Sequence, residues 1–99
     1  VTGDEDMNKE DIYIKLSRIF SDRFEIDLKA VPEENFYKHL LGSEFRLAPR
    51  DLIYIYLDIE KEFGIAIPDE DIATGGLSTI NRMIEIIERQ LDIMRKNAV

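Results

Sequence analysis

The chain of 99 residues is one domain's worth of sequence, 44% hydrophobic, with 21 acidic against 13 basic residues and a formal net charge of −8. That balance argues against a general nucleic-acid binder, which needs a basic face to displace phosphate counterions, and disfavours an anionic membrane surface. With no cysteine there is no disulfide framework, thiol catalysis or Cys-ligated metal, and a single histidine, His39, leaves little for His-based metal sites or charge relays.

No apolar run approaches the ~20 residues of a membrane span, and the N-terminal segment lacks the apolar stretch of a signal peptide. A soluble, monomeric, cytoplasmic domain is expected. The charge is clustered. Asp4, Glu5, Asp6 and Glu10 against Lys9 give residues 1–10 a net of −3. Asp51, Asp58, Glu60, Glu62, Asp69, Glu70 and Asp71 against Arg50 and Lys61 give residues 50–71 a net of −5, so the remainder is neutral. Residues 1–8 are expected to be a flexible tail, with Met7 a candidate native start, and residues 9–96 the folded domain.

The first element is a helix over about Lys9 to Phe24, because Ile12, Leu16, Ile19, Phe20 and Phe24 recur at helical spacing. Asn8 suits its N-cap, and Glu10 and Asp11 suit the positive end of its dipole. Residues 25–47 form a long connection, tied down by apolar residues such as Ile26, Leu28 and Val31. Within it Pro32-Glu33-Glu34 predicts the start of a short helix that turns Phe36, Leu40 and Leu41 inward and ends at Gly42.

A second long helix is predicted from about Ala48 to Phe63, with Pro49 at its first position and Gly64 as its stop. Leu52, Ile55, Tyr56, Ile59 and Phe63 form its apolar face. Ile65-Ala66-Ile67 is extended before Pro68, Asp69 to Ile72 make one helical turn, and Thr74-Gly75-Gly76 is a turn signal. The last helix spans about Thr79 to Arg95 with Ser78 as N-cap. Ile80, Met83, Ile84, Ile87, Leu91 and Met94 make its stripe. Three long helices and one or two short ones give an all-α fold, a small helical bundle with a long first connection. Its expected core includes Ile12, Leu16, Ile19, Phe20, Phe36, Leu40, Leu52, Ile55, Ile59, Phe63, Ile67, Ile84, Ile87 and Leu91.

Catalytic chemistry finds little support. The carboxylates of the second helix read as solvated, with no partner that would shift their pKa. Asp69-Glu70-Asp71 lacks the alternating ligands and central glycine of a calcium loop, so no metal site is expected. His39 has no neighbouring nucleophile, and Thr74-Gly75-Gly76 lacks a phosphate loop's lysine. No enzyme activity is expected. Tyr56 reads as core, whereas Tyr54 projects from the polar face and is a contact candidate.

The run Leu57-Asp58-Ile59-Glu60-Lys61-Glu62-Phe63-Gly64-Ile65-Ala66-Ile67-Pro68-Asp69-Glu70-Asp71-Ile72 resembles the acyl carrier protein family, whose pattern is an acidic helix end followed by x-I-x-I-P-D-E. Phe36 through Gly42 resembles its F-x-x-D-L-G element, and Leu77 to Ile80 the start of its last helix. The likeness spans about residues 9–93 and implies a four-helix bundle. Working carriers have Asp-Ser-Leu at the start of the second helix, where the serine carries 4'-phosphopantetheine. Counting back from Phe63 places that triplet on Ala48-Pro49-Arg50, and proline has no hydroxyl. The connection after Gly42 is also four residues longer than in the family pattern.

Leu47-Ala48-Pro49-Arg50-Asp51-Leu52-Ile53-Tyr54 resembles an element of acyl-carrier-related proteins associated with clostridial peptide-maturation systems, which lack the serine. This likeness implies an adaptor without a cofactor, whose partner is a peptide-modifying or biosynthetic enzyme. The expected partner-binding residues are Arg50, Asp51, Tyr54, Asp58, Lys61 and Glu62 on the second helix. The alternative is a genuine carrier bearing 4'-phosphopantetheine at Ser43, which follows Leu41-Gly42 directly but has no preceding acid.

Overall fold

The computed structural model describes residues 8–97. Four α-helices, α1 (Lys9–Phe24), α2 (Pro49–Phe63), α3 (Asp69–Ala73) and α4 (Ile80–Asn97), make an all-helical bundle, with no strand among the described residues. The tail expected before Asn8 and the candidate start Met7 lie outside those residues. Asn8 itself is the N-cap of α1. Its Oδ1 accepts the Asp11 N–H at 2.9 Å, and the Asp11 carboxylate accepts the Asn8 N–H at 3.3 Å, a reciprocal capping box. Glu25 closes α1 in the left-handed region at φ 58°.

At α2, Pro49 fills the first helical position, where its missing N–H has no intrahelical partner to lose. Half of a capping box forms there, since the Asp51 carboxylate accepts the Ala48 N–H at 2.8 Å while Ala48 offers no side-chain acceptor in return. Gly64, at φ 66°, closes α2; its N–H and that of Ile65 reach the Glu60 carbonyl at 3.0 and 3.3 Å. Helix α1 packs on α2 and on α4. Ile12, Leu16 and Phe20 from α1, Ile55 and Ile59 from α2, and Ile80, Met83, Ile86 and Ile87 from α4 are fully buried in one core.

The connection over residues 25–48 is held by Leu28, Leu40 and Phe45, all buried. It holds two 3₁₀ turns, Leu28–Ala30 and Glu33–Tyr37. The short helix expected from Pro32 to Gly42 is thus only the second of these turns. Lys38 is extended (φ −92°, ψ 149°), and the His39 Nδ1 accepts the Leu41 N–H at 3.1 Å, a local bond that competes with helix continuation. Leu40 enters the core and donates its N–H to the Ser78 carbonyl at 2.8 Å. Leu41 is exposed, Phe36 is only half-buried beside Tyr13, and Gly42 lies in a tight turn.

Further differences concern α4. Its cap is Thr79, whose Oγ1 accepts the Arg82 N–H at 3.2 Å, and not Ser78. Its buried face includes Ile86, while Met94 is exposed on the last turns. Leu52, Ile84 and Leu91, expected inside, pack against the core only partly buried, and so does Tyr56. Leu28, Phe45, Ile65 and Leu77 complete the core from loops. Gly76 sits where α3 meets α4. A Cβ there would stand 2.6 Å from the Asp71 carbonyl oxygen and would also overlap Ile86 Cδ1. Asp71 also pairs with Arg89 of α4.

Candidate functional site

The surface of α2 divides into three strips, fixed by 3.6-residue periodicity around the Ile55–Ile59 line. On the flank toward α1, the Asp58 carboxylate receives Arg23 Nε at 2.5 Å and Nη2 at 2.9 Å, a two-pronged pair. The Arg23 guanidinium also lies 4.9 Å from the centre of the Tyr54 ring. Its pKa is raised above the ordinary value, first by the hydrogen bond to Asp58. Glu62 lies 3.8 Å from the Lys15 ammonium, and Asp51 caps Ala48. On the flank toward α3, the Glu60 carboxylate accepts the Ile67 N–H at 2.8 Å and so fixes the extended segment after the helix.

Every acid of α2 thus has a partner inside the molecule. Asp51 and Asp58, expected to be mostly exposed, are half-buried for this reason. Arg50, Tyr54, Lys61 and Glu62 are exposed. Arg50 and Lys61 have no hydrogen bond or ion pair among the described residues. Arg50, Tyr54, Leu57 and Lys61 share the strip that faces away from the core, at spacings of four, three and four residues. Leu57 is 51% exposed and Ile53, beside it, 59%. These two apolar residues were missed by the sequence reading. Their signal was there, since both fall outside the stripe of Leu52, Ile55 and Ile59.

Beside Ile53 a shallow groove of about 260 Å³ opens between α2 and the α3–α4 turn, lined by Leu52, Ile53, Tyr56, Ile72 and Leu77. Its lining is almost wholly apolar. The Tyr56 hydroxyl titrates above its ordinary value, chiefly because burial disfavours the phenolate and next because Glu60 is close. Asp69 of α3 acts on it in the same direction.

The remaining sequence candidates do not converge. Ser43 is exposed in the turn before α2, next to Glu44, whose carboxylate binds Lys38 at 3.2 Å and is thereby held below its usual range. Asp71 is engaged by Arg89, and no group of three or more His, Cys, Asp or Glu among the described residues is placed to hold a metal ion. No helix among the described residues is long and apolar enough to cross a membrane.

Comparison with known proteins decides the family. The chain is 30% identical over 84 residues to the acyl carrier protein of Thermotoga maritima, an alignment covering 85% of this chain and 96% of the relative. The protein belongs to the acyl carrier protein family. It is 30% identical over 83 residues to the Lactobacillus johnsonii acyl carrier protein, covering 83% of this chain and 95% of that one. It is 29% identical over 86 residues to that of Thermosynechococcus vestitus, covering 86% and 98%. No family model and no solved structure matches the chain. Acyl carrier proteins are not catalysts, and this member of the family is not an enzyme.

Proposed function

We propose that the protein is an acyl-carrier-like interaction module, an adaptor that binds a peptide-modifying or biosynthetic enzyme and does not itself carry a cargo. The observation that carries this reading is Pro49 at the first position of α2. The family attaches 4'-phosphopantetheine to a serine hydroxyl at the matching place. None of Ala48, Pro49, Arg50 or Asp51 has a hydroxyl, so the residues at the start of α2 do not fit that attachment. Proline instead serves the entry of the helix, its fixed φ matching the helical value. The relatives' family works through partner enzymes, which supports a protein partner for this chain.

A second reading, a carrier modified at Ser43, is favoured by the relatives' shared name and by the exposure of that serine. The test is the intact mass after incubation with coenzyme A and a permissive phosphopantetheinyl transferase. The adaptor reading expects an unchanged mass. A gain of one phosphopantetheine, mapped to Ser43, would replace it with the carrier reading. Pro49→Ser is expected to stay unmodified too, because Ala48 and Arg50 also depart from Asp-Ser-Leu.

A further inference from the structure

We infer that the outward strip of α2 docks an acidic amphipathic helix of a partner protein, with carboxylates over Arg50 and Lys61 and an apolar side chain seated against Ile53 and Leu57. The inference rests on the adaptor reading and names the chemistry of the partner.

Three observations point the same way. The acids of α2 lie on its flanks, where Arg23 and Lys15 pair with Asp58 and Glu62 and the N–H groups of Ala48 and Ile67 bind Asp51 and Glu60, so the charged side chains on the outward strip itself are Arg50 and Lys61. Arg50 and Lys61 are exposed without partners among the described residues. Between the two cations lie the exposed Tyr54 and Leu57, and Ile53 leads into the apolar groove toward Ile72. An aromatic and two aliphatic side chains flanked by unpaired cations form an interface whose centre is apolar and whose ends are positive.

The dimensions set the spacing of the visitor's acids. Arg50 and Lys61 lie eleven residues apart, about 16 Å along the axis at the helical rise, so a docked helix needs acids at the same separation.

The experiment is an NMR titration of the ¹⁵N-labelled full chain with a helical peptide of about 15 residues, bearing one glutamate near each end, spaced as Arg50 and Lys61 are, and two leucines between. Saturable shifts centred on Arg50, Ile53, Tyr54, Leu57 and Lys61 are expected. The double variant Arg50→Glu, Lys61→Glu should bind about tenfold more weakly, and a peptide with lysines in place of the glutamates should restore binding to it. Should that variant fold poorly, Arg50→Gln with Lys61→Gln should give an intermediate loss.

Absence of saturable binding, shifts centred elsewhere, or equal binding of the lysine peptide by the unaltered chain would overturn the inference. A phosphopantetheine gain in the mass assay would overturn the adaptor reading and leave this titration as it stands, so the two failures are distinguishable.

Discussion

Gly76→Ala should destabilise the domain more than alanine at any other glycine. The cause is contact, not backbone conformation. The added methyl would stand 2.6 Å from the Asp71 carbonyl oxygen and would overlap Ile86 Cδ1. A side chain end can rotate away, but the Asp71 carbonyl is held against Gly76 by the Gly76 N–H at 2.7 Å, so the turn that closes α3 has to open. Overpacking of this kind costs about 1–3 kcal/mol, and a backbone obstacle places the cost near the upper end. In a domain of this size a loss of about 3 kcal/mol lowers Tm by roughly 15 °C. Gly64→Ala is the control. It has positive φ but nothing within 4 Å of the new Cβ, so it carries a conformational cost of about 1 kcal/mol alone. Urea unfolding followed by circular dichroism measures both. Ile86→Val removes Cδ1, so in the Gly76→Ala background it should cost less than it does alone, where about 0.5–1.5 kcal/mol is expected. Gly76→Ala within about 0.5 kcal/mol of the unaltered chain would refute the close approach of Gly76 to Asp71 and Ile86.

The remaining predictions concern α2. Ile59→Ala should cost about 2–5 kcal/mol in urea unfolding, because the side chain is fully buried; an unchanged midpoint would mean that it is not a core residue. Arg23→Gln and Asp58→Asn, measured singly and together, should show coupling at low salt that shrinks in high salt, and additive effects would deny the pair a role in holding α1 on α2. Tyr54→Ala should weaken binding of the acidic peptide more than Lys61→Ala, with far-UV circular dichroism unchanged, since aromatic groups near the centre of an interface carry more energy than charges at its rim. The reverse order would place the centre of contact elsewhere.

The long helices were legible because their signals are local. Asn8 with Asp11, Pro49 at an N-terminus and Gly64 at a C-terminus are caps whose partners lie within a few residues. The connection was harder. Leu28, Leu40 and Phe45 are single anchors without a period, and their burial follows from tertiary contacts such as the Leu40 N–H to the Ser78 carbonyl. That bond explains the Ser78 error too. Either hydroxyl at 78–79 suits a cap by type, and only the geometry of the turn assigns the role to Thr79.

The surface of α2 shows why charge read along a chain differs from charge presented in space. In sequence the helix carries four acids against two bases, and residues 50–71 hold much of the net negative charge. Periodicity places Asp51, Asp58 and Glu62 away from the core but does not name what lies beside them. Arg23, 35 residues from Asp58, arrives through the packing of α1 on α2, and Lys15 reaches Glu62 in the same way. Ile67 binds Glu60 because Gly64 turns the chain back along the helix. Each of these contacts holds a carboxylate on a flank of α2, off the outward strip. Arg50 and Lys61 remain, with Tyr54, Leu57 and Ile53 between and beside them. An acidic protein thereby presents an apolar-centred strip whose own charged side chains are cations, and it is this local pattern, not the net charge, that a partner at van der Waals distance meets.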